Sequence, residues 1–517
     1  MSKNNTNLIF VFLIGFISCW FFMPQKQEQG HNIINTILNT IGQNYVDTID
    51  ANYLREQAIH QILENLDPHS IYMNQDDVAQ ASVMMAGSFE GIGIEFSIHR
   101  DTIIVINVIP NGPSEKKGIQ AGERITYINN EQVCGIGITN TQVIEKLRGK
   151  RGTIVNVGIN TKHDTITKFV DIKRDKIPLV SLDVAYEIAP SIGYIKLNRF
   201  AATTFKEFKN ELKRLKDDNN ITKLILDLRG NSGGYLDQAV KILNEFFDNN
   251  KLLVYTEGHA RKKQEYFSDF FGTFKDGEVY VLINEGSASA SEIIAGAIQD
   301  HDRGLIIGGR SFGKGLVQEQ ILLDNGGLMR LTVSRYYTPS GRCIQKPYYE
   351  SLKSHFSELD LNNKIQADSL QKFKTMSGRI VYGGGGIEPD HAIQDKYDSI
   401  PATLVYLYTS DFFQNLVFDY VDENRIELGQ IQELEKFSIP DKRQIDLLLT
   451  INKWFTNEIP EIDDITEYAN SIKQYKDDIM IRLSALIIRQ YWGWGEMQIF
   501  LNQHDEIITT SLSLINN

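Results

Sequence analysis

Three serine hydroxyls occur close together in GSASASEI, residues 286–293, where a predicted apolar strand meets a predicted helix. One interpretation is a helix N-cap, for which Ser291 followed by Glu292 is well suited. The other is a nucleophile, because the free N–H groups and the positive end of the helix dipole stabilise an oxyanion at this position. Residue types and spacing alone leave both interpretations open.

A nucleophilic serine needs a base, and the nearest histidine along the chain is His301. If Ser289 and His301 lie on one helix, about 18 Å of helix axis separates them. They would then be too far apart to share a hydrogen bond. We expect His301 to be a solvated residue at the helix C-terminus, where the dipole favours a cation.

Lys314 is a second candidate base and lies between two glycines in SFGKG, residues 311–315. Flanking glycines indicate a close approach or an unusual backbone conformation, although a surface turn with a solvated lysine has the same pattern. A lysine base must be neutral near pH 7, which requires its surroundings to disfavour the ammonium by roughly 4 kcal/mol. Phe312, Leu316 and Val317 are apolar neighbours that could bury it.

The same lysine ends GGRSFGK, residues 308–314, which fits the phosphate-loop pattern G-x-x-x-x-G-K. Gly315 follows where that pattern requires a serine or threonine for magnesium, and a predicted strand stands in place of the required helix. LILD, residues 224–227, resembles the Walker B strand that accompanies a phosphate loop. We therefore discount a nucleotide site.

Two glycine-rich segments can present backbone N–H groups. LDLRGNSGG, residues 226–234, predicts either a plain strand-to-helix turn or a donor of an oxyanion hole. FEGIGIEF, residues 89–96, can form a nest for a terminal carboxylate at Gly91, Ile92, Gly93 and Ile94, and the following strand offers an edge to an added peptide strand.

The elements that would position these residues alternate between apolar strands and amphipathic helices from about residue 181 to 390. Such alternation predicts a mixed α/β core with a largely parallel sheet. Residues 87–176 contain short β-branched runs punctuated by glycine, which predict a β-rich module with one helix. Residues 32–85 and the chain from about 393 onward are predicted to be helical, with a break at Pro68.

The segment LIFVFLIGFISCWFFM, residues 8–23, carries no charge. At 1.5 Å per residue it spans roughly 24 Å, a little less than the hydrocarbon core of a bilayer. We interpret it as an uncleaved signal anchor; a cleaved signal peptide and a buried helix are the alternatives. This predicts that the rest of the chain lies on the far side of a membrane.

Composition excludes several classes of protein. Hydrophobic residues make up 42% of the 517 residues and charged residues 23%, which is ordinary globular usage and excludes wholesale disorder. The net charge of −13 makes general nucleic-acid binding a poor prediction. Three cysteines without a CxxC pair do not support a disulfide scaffold or a cysteine-based zinc site.

In order and spacing, the motifs resemble those of the carboxyl-terminal processing proteases, the tail-specific serine proteases with a Ser–Lys dyad. The matching segments are LDLRGNSGG, GSASASEI, SFGKGLVQ (311–318) and YGGGGIEPD (382–390), after NLDPHS (65–70). Residues 89–133 resemble a PDZ domain, with Glu123 where aspartate is usual.

The resemblance implies a role for particular residues. The nucleophile falls on the middle serine, Ser289, and the general base on Lys314, 25 residues later. Gln318 would orient the lysine. On an extended strand the Cα atoms of residues 314 and 318 are roughly 13 Å apart, so the backbone must bend near Gly315 or both side chains must reach inward.

The implied oxyanion donors are the N–H groups of Ala290 and of either Gly233 or Gly234. No metal, nucleotide or other cofactor is implied. The implied activity is that of a serine endopeptidase acting on proteins or peptides with free C-termini. Together with segment 8–23, the resemblance implies a bacterial envelope protein, anchored in the inner membrane with its catalytic part in the periplasm, or exported if the segment is removed. An inactive PDZ scaffold is the alternative from a binding class, and the helical ends predict association into a homodimer.

The expected fold class is α+β multidomain, with a mixed α/β protease core, a PDZ-like β-rich module and helical N- and C-terminal regions. The expected boundaries are 1–30 for the signal anchor and linker, 31–86 for the N-terminal helices, 87–176 for the PDZ-like module, 177–392 for the protease core and 393–517 for the C-terminal helices.

Overall fold

The computed structural model describes residues 33–161, 166–347, 371–393, 400–431, 434, 437–458 and 472–516. The predicted signal anchor, residues 8–23, lies outside these described residues. Within them, no helix is both long enough and apolar enough to cross a bilayer.

The N-terminal region is helical, as its apolar spacing predicts. Its elements are α1 (Ile33–Asn44), α2 (Ala51–Glu64), β1 (Ile71–Met73) and α3 (Gln75–Ala86). Asp50 caps α2 by accepting the N–H groups of Asn52 and Tyr53. The second helix ends ahead of Pro68, which cannot donate the next helical hydrogen bond.

The β-rich module contains a six-stranded sheet in the order β3-β4-β5-β7-β8, with β6 paired to β5. Its elements are β2 (Ser88–Gly91), β3 (Ile94–His99), β4 (Thr102–Val108), α4 (Pro113–Lys116), β5 (Arg124–Ile128), β6 (Glu131–Gln132), α5 (Asn140–Leu147), β7 (Ile154–Asn160), β8 (Lys168–Lys173) and β9 (Asp175–Pro178). Strands β2 and β9 form a separate antiparallel ribbon. Strand β3 lies at the edge of the larger sheet.

The central sheet of the mixed α/β core has the order β10-β11-β12-β15-β16-β21. Strands β11 to β21 in this order are parallel, and β10 is antiparallel to β11. The elements are β10 (Leu182–Ala189), β11 (Ile192–Leu197), α6 (Thr204–Asn219), β12 (Lys223–Asp227), α7 (Leu236–Asn244), β15 (Glu278–Ile283), α8 (Ala290–Asp300), β16 (Gly304–Gly308) and β21 (His391–Ala392). Helix α8 is buried along its whole length.

A second sheet of the core contains strands from three parts of the chain. Its order is β1-β18-β13-β14, with β17 also paired to β18. The remaining strands of the core are β13 (Leu252–Glu257), β14 (Gln264–Phe267), β17 (Leu316–Leu322) and β18 (Leu328–Tyr337), followed by the ribbon β19 (Lys372–Lys374) and β20 (Ile380–Tyr382). Strand β18 pairs with β1 and also with β17, the strand that follows Lys314, so β18 separates the N-terminal region from β17.

The C-terminal region is helical, as predicted. Its helices are α9 (Ala402–Thr409), α10 (Asp411–Leu428), α11 (Asp441–Glu458), α12 (Lys476–Trp492), α13 (Trp494–Gln503) and α14 (Glu506–Asn516). On one side, Asp422 of α10 pairs with Arg124 of β5 at 3.0 Å. On the other, the carbonyl of Ile515 in α14 accepts from Lys223 of β12 at 2.8 Å. The region therefore contacts both the β-rich module and the α/β core.

Candidate active site

The three clustered serines differ in what their hydroxyls bond. Ser287 Oγ donates to the carbonyl of Leu228 at 2.8 Å, and Ser291 Oγ donates to the carbonyl of Asn231 at 2.8 Å. Both serines are fully buried. Ser289 is half-buried, and its Oγ donates to no acceptor among the described residues. Of the three hydroxyls, that of Ser289 is the one left available to react.

Ser289 directly precedes α8 and has φ 55° and ψ −110°. A positive φ is strained for a residue with a Cβ, and such strain is common at functional turns. The turn is held from outside, since the N–H of Ala288 donates to the carbonyl of Asn231 at 3.0 Å. The strained turn therefore places the serine at the N-terminus of a buried helix.

Gly233 lies directly against this turn. A methyl group at Gly233 would lie 2.8 Å from Ser289 Cβ and 3.0 Å from the Ala290 nitrogen, so a side chain does not fit. The N–H of Gly233 already donates to Asn231 Oδ1 at 2.9 Å. The N–H groups of Gly234 and Ala290 have no acceptor within the described ranges.

One carboxylate joins the serine turn to the lysine loop. Glu292 Oε2 accepts the N–H of Ser289 at 2.8 Å and that of Lys314 at 2.9 Å. Because both amides lie within 2.9 Å of one oxygen atom, the two backbone nitrogens are less than twice that distance apart. Glu292 Oε1 accepts Ser311 Oγ at 2.5 Å and the N–H of Gly313 at 2.7 Å.

Glu292 is fully buried, and burial raises the pKa of its carboxyl group while the four donors oppose that shift. From the sequence, Glu292 was predicted only to be part of a helix cap. A lone carboxylate in the otherwise apolar segment ASEIIAGAI was a signal that it has buried partners.

Lys314 is half-buried on the loop between β16 and β17. Burial lowers the pKa of its amine, and the nearby Arg330 charge lowers it further; the carboxylates of Glu292 and Asp67 oppose both effects. This is the direction that a lysine general base requires. No hydrogen bond joins Lys314 Nζ to Ser289 Oγ in the described part of the chain.

Gln318 lies on β17, two residues after that strand begins. The register with β18 shifts between Val317 and Gln318, which bends the strand near the lysine loop. Gln318 Nε2 donates to Thr332 Oγ1 at 3.4 Å. The side-chain amide of Gln318 is thus hydrogen-bonded to Thr332 on the neighbouring strand.

Two other expectations are resolved by the structure. His301 follows the far end of α8, as expected, but its Nε2 contacts the carbonyl of Leu252 at 2.6 Å and its ring packs on Phe247. His301 is therefore packed and not solvated, because β13 and Phe247 cover the helix end.

The phosphate-loop alternative does not fit the structure. A strand, β17, follows Lys314 where a phosphate loop would need a helix.

The glycine-rich loop of the β-rich module connects β2 to β3. Gly93 has φ 77°, a conformation that favours glycine. The carbonyl of Ile92 accepts both the N–H and the Oγ of Ser114, at 3.0 and 2.7 Å. The N–H groups of Ile92 and Gly93 have no acceptor within the described ranges. Ile94, the fourth predicted residue, begins the edge strand β3.

Arg148 lies near this loop, and the sequence analysis did not identify it. Its guanidinium carbon is 4.7 Å from the centroid of the Phe89 ring, and its Cγ would lie 3.8 Å from a methyl group placed on Gly91. The stem of the arginine therefore lies against Gly91 at the start of the loop.

Profiles of known families match the α/β core and the β-rich module. The profile of Peptidase family S41 matches residues 191–351, and that of the PDZ domain matches residues 91–173. A carboxy-terminal-processing protease of Bartonella bacilliformis is 38% identical over 315 residues, which cover 60% of this chain and 71% of that protein. Carboxy-terminal processing protease CtpB of Bacillus subtilis is 33% identical over 453 residues, which cover 84% of this chain and 90% of that protein.

Among solved structures, a photosystem II D1 C-terminal processing protease matches with 24% identity and a TM-score of 0.35, covering 72% of this chain and 94% of that one. The family assignment rests on the sequence matches, in which the similarity to CtpB extends over nearly its whole length. The chain belongs to the carboxy-terminal processing proteases, serine peptidases of family S41 that carry a PDZ domain.

Proposed function

We propose that this protease captures the free C-terminus of a protein substrate on its PDZ module and cleaves the substrate with Ser289 as nucleophile and Lys314 as general base. The observation that carries the proposal is the shared acceptor, Glu292 Oε2, which holds the backbones of both residues close together. With the backbones held in this way, rotation about side-chain bonds brings the amine toward the hydroxyl. A lysine side chain, with four rotatable bonds, is suited to that movement.

In the acylation step, the neutral Lys314 amine takes the proton of Ser289 Oγ while this oxygen attacks the substrate carbonyl. The resulting ammonium returns the proton to the leaving amine as the C–N bond breaks, which leaves an ester on Ser289. The lowered pKa of Lys314 supports this role, because a larger fraction of the amine is neutral near neutral pH.

The negative charge of the tetrahedral intermediate falls on the former carbonyl oxygen. We infer that the N–H groups of Ala290 and Gly234 stabilise it, since the Gly233 N–H is bonded to Asn231. Loss of one such donor typically costs about 3 kcal/mol of transition-state stabilisation. Gly233 contributes by allowing the chain to approach Ser289 closely.

In the deacylation step, Lys314 takes a proton from a water molecule that attacks the ester carbon, and the proton returns to Ser289 Oγ as the ester bond breaks. Both steps use only protein groups and water.

The PDZ module would supply substrate selection. The free N–H groups of Ile92 and Gly93 suit a terminal carboxylate, and the edge strand β3 can accept a peptide as an added strand. Arg148 adds charge of the opposite sign to that carboxylate. We expect an apolar last residue of the substrate to be preferred.

The first test follows cleavage of a protein that ends in an apolar tail, using the full-length enzyme with and without ATP. Ser289→Ala and Lys314→Arg are both expected to abolish cleavage, the latter because a guanidinium stays charged and cannot act as a base. Ser291→Ala removes a hydroxyl that bonds only to a backbone carbonyl and is the matched control that retains activity. Cleavage that survives Ser289→Ala would contradict the proposal, and ATP turnover would support the nucleotide alternative.

The second test addresses the PDZ module with two peptides that differ only in a C-terminal carboxylate or amide. We expect the amide to bind at least tenfold more weakly, because the free N–H groups then face a group without charge. Equal affinity would show that the terminal carboxylate is not recognised. A scaffold without catalytic power would distinguish the two peptides in binding but cleave neither.

We also propose a location in the bacterial envelope and association into a homodimer. The uncharged segment 8–23 supports the first of these, and exposed Ile33, Ile34 and Ile37 on α1 support the second. Fractionation of membranes with intact-mass measurement tests whether the segment is retained. Light scattering at several protein concentrations tests the dimer, and a constant monomer mass would exclude it.

A further inference from the structure

The NLDPHS motif, residues 65–70, forms the loop between α2 and β1. Asp67 folds this loop around its own carboxylate: Oδ1 accepts the N–H groups of His69 and Ser70, each at 2.8 Å, and Oδ2 accepts Ser70 Oγ at 2.7 Å. Ser70 is buried. The loop therefore has one defined shape at the point where the chain enters β1.

Pairing of β1 with β18 brings this loop to the proposed catalytic base. Ile71 lies opposite Arg330, and the N–H of Thr332, two residues further along β18, donates to Ser70 Oγ at 3.1 Å. Thr332 also lies opposite Gln318 in the β17–β18 register. The carboxylate of Asp67 thus reaches the strand pair that follows Lys314.

The hydrogen bonds between these residues have a fixed direction. A carboxylate can only accept, so Thr332 Oγ1 must give its one proton to Asp67 Oδ1, which lies 3.2 Å away. The threonine oxygen is then limited to accepting, and Gln318 has to present its N–H group at 3.4 Å. This leaves Gln318 Oε1 as the atom that can accept a hydrogen bond from the amine of Lys314.

We propose that Asp67 is a positioning residue for the catalytic base: through Thr332 it fixes the amide of Gln318 so that Oε1 accepts from Lys314. The inference rests on the proposed function, because it needs Lys314 to act as the base. The carboxylate also lies close enough to Lys314 to act on its charge, together with Glu292 of α8 and Arg330 of β18. The N-terminal helical region would therefore supply part of the catalytic apparatus.

The test measures kcat, KM and the pH profile of kcat/KM for variants of the full-length enzyme. Asp67→Ala is expected to lower kcat about tenfold with little change in KM, because Thr332 Oγ1 loses the acceptor of its proton and the amide of Gln318 is no longer oriented. Its acidic limb should also move to lower pH, since removal of a nearby negative charge favours the neutral amine of Lys314. A merely structural role for Asp67 would not move this limb.

Thr332→Val and Thr332→Ser distinguish the effect of the Thr332 hydrogen bonds from the effect of the Asp67 charge. The valine removes the hydroxyl and keeps the Asp67 charge, so kcat should fall by a similar factor while the acidic limb shifts less. The serine restores the hydroxyl and should recover most of kcat. In a Gln318→Leu background, Asp67→Ala should cause no further fall in kcat. Asp50→Asn, which alters the cap of α2, is the matched control and should leave both quantities unchanged.

The inference is overturned if Asp67→Ala has the kcat and acidic limb of the wild type, or if Thr332→Ser fails to recover activity in a folded protein. If Asp67→Ala does not fold, the two Thr332 variants decide the matter. A wild-type enzyme whose cleavage does not depend on Ser289 refutes the proposed function. If cleavage depends on Ser289 but the Asp67 and Thr332 variants keep the wild-type kcat and acidic limb, only the inference is refuted.

Discussion

Replacement of Glu292 by glutamine is the sharpest perturbation of the proposed site, because the two side chains have the same shape. The carboxylate accepts four donors, two on each oxygen. A glutamine can offer an acceptor to one pair only, and its NH2 group then faces two donors at hydrogen-bond distance. The variant therefore breaks the link either at Ser289 and Lys314 or at Ser311 and Gly313.

The magnitude follows from the bonds that are lost. Two hydrogen bonds to a charged acceptor contribute about 3–6 kcal/mol, and relief of the buried charge offsets part of this. We expect a net loss of stability of roughly 2–4 kcal/mol. Displacement of the serine or the lysine by about 1 Å is expected to lower kcat/KM about 100-fold.

The assay compares Glu292→Gln with Glu245→Gln by thermal unfolding and by cleavage of a tailed protein substrate. Glu245 is a matched control, because it is also buried and accepts the N–H and hydroxyl of Thr273 away from the serine turn. Both variants should lose stability, but only Glu292→Gln should lose kcat/KM once folded. A folded Glu292→Gln enzyme with wild-type kcat/KM would refute the reasoning.

Three further predictions concern the surroundings of the site. Arg330→Gln should move the acidic limb of kcat/KM to higher pH, because Arg330 lowers the pKa of Lys314 and its loss favours the ammonium; an unmoved limb would contradict this. Gly233→Ala should lower kcat at least 100-fold while PDZ binding of a peptide persists, since φ is 99° and a methyl group would meet Ser289; near-normal kcat would refute it. Asp505→Asn should lower the free energy of unfolding by about 1–3 kcal/mol, measured by denaturant titration, because Arg229, whose side chain is 10% exposed, loses a charged partner at 2.8 Å; unchanged stability would argue against this contact.

The contact between Asp505 and Arg229 gives the C-terminal region a defined place in the molecule. Arg229 belongs to LDLRGNSGG and is held on its other side by Asp227, at 2.7 Å. Asp505 also caps α14 by accepting the N–H groups of Ile507 and Ile508. The sequence of this region has no catalytic signature, yet it supports the turn that carries Gly233 and Gly234.

Much of the architecture follows from local sequence. Alternating apolar strands and amphipathic helices predicted the mixed core, and glycine-punctuated β-branched runs predicted the β-rich module, because burial imposes a period on each type of element. The motifs and their spacing selected Ser289, Lys314 and the two glycines through resemblance to a family. The spacing of the residues alone did not decide between a helix cap and a nucleophile.

The partners of these residues were decided only by tertiary structure. The hydroxyls of Ser287 and Ser291 donate to backbone carbonyls, whereas that of Ser289 does not. The N–H of Gly233 donates to Asn231, which leaves the N–H of Gly234 available to a substrate. Neither distinction can be read from composition or period, because the acceptors belong to another turn of the chain.

For the same reason, the sequence did not indicate the partners of Glu292 and Asp67. Glu292 joins loops that lie about twenty residues apart in the chain, and Asp67 meets Thr332 across 265 residues. Periodicity reports which face of an element is buried, whereas such contacts depend on how sheets and helices pack against one another. The sequence determined which elements form and which side chains could react; their packing decided which groups hold those side chains in place.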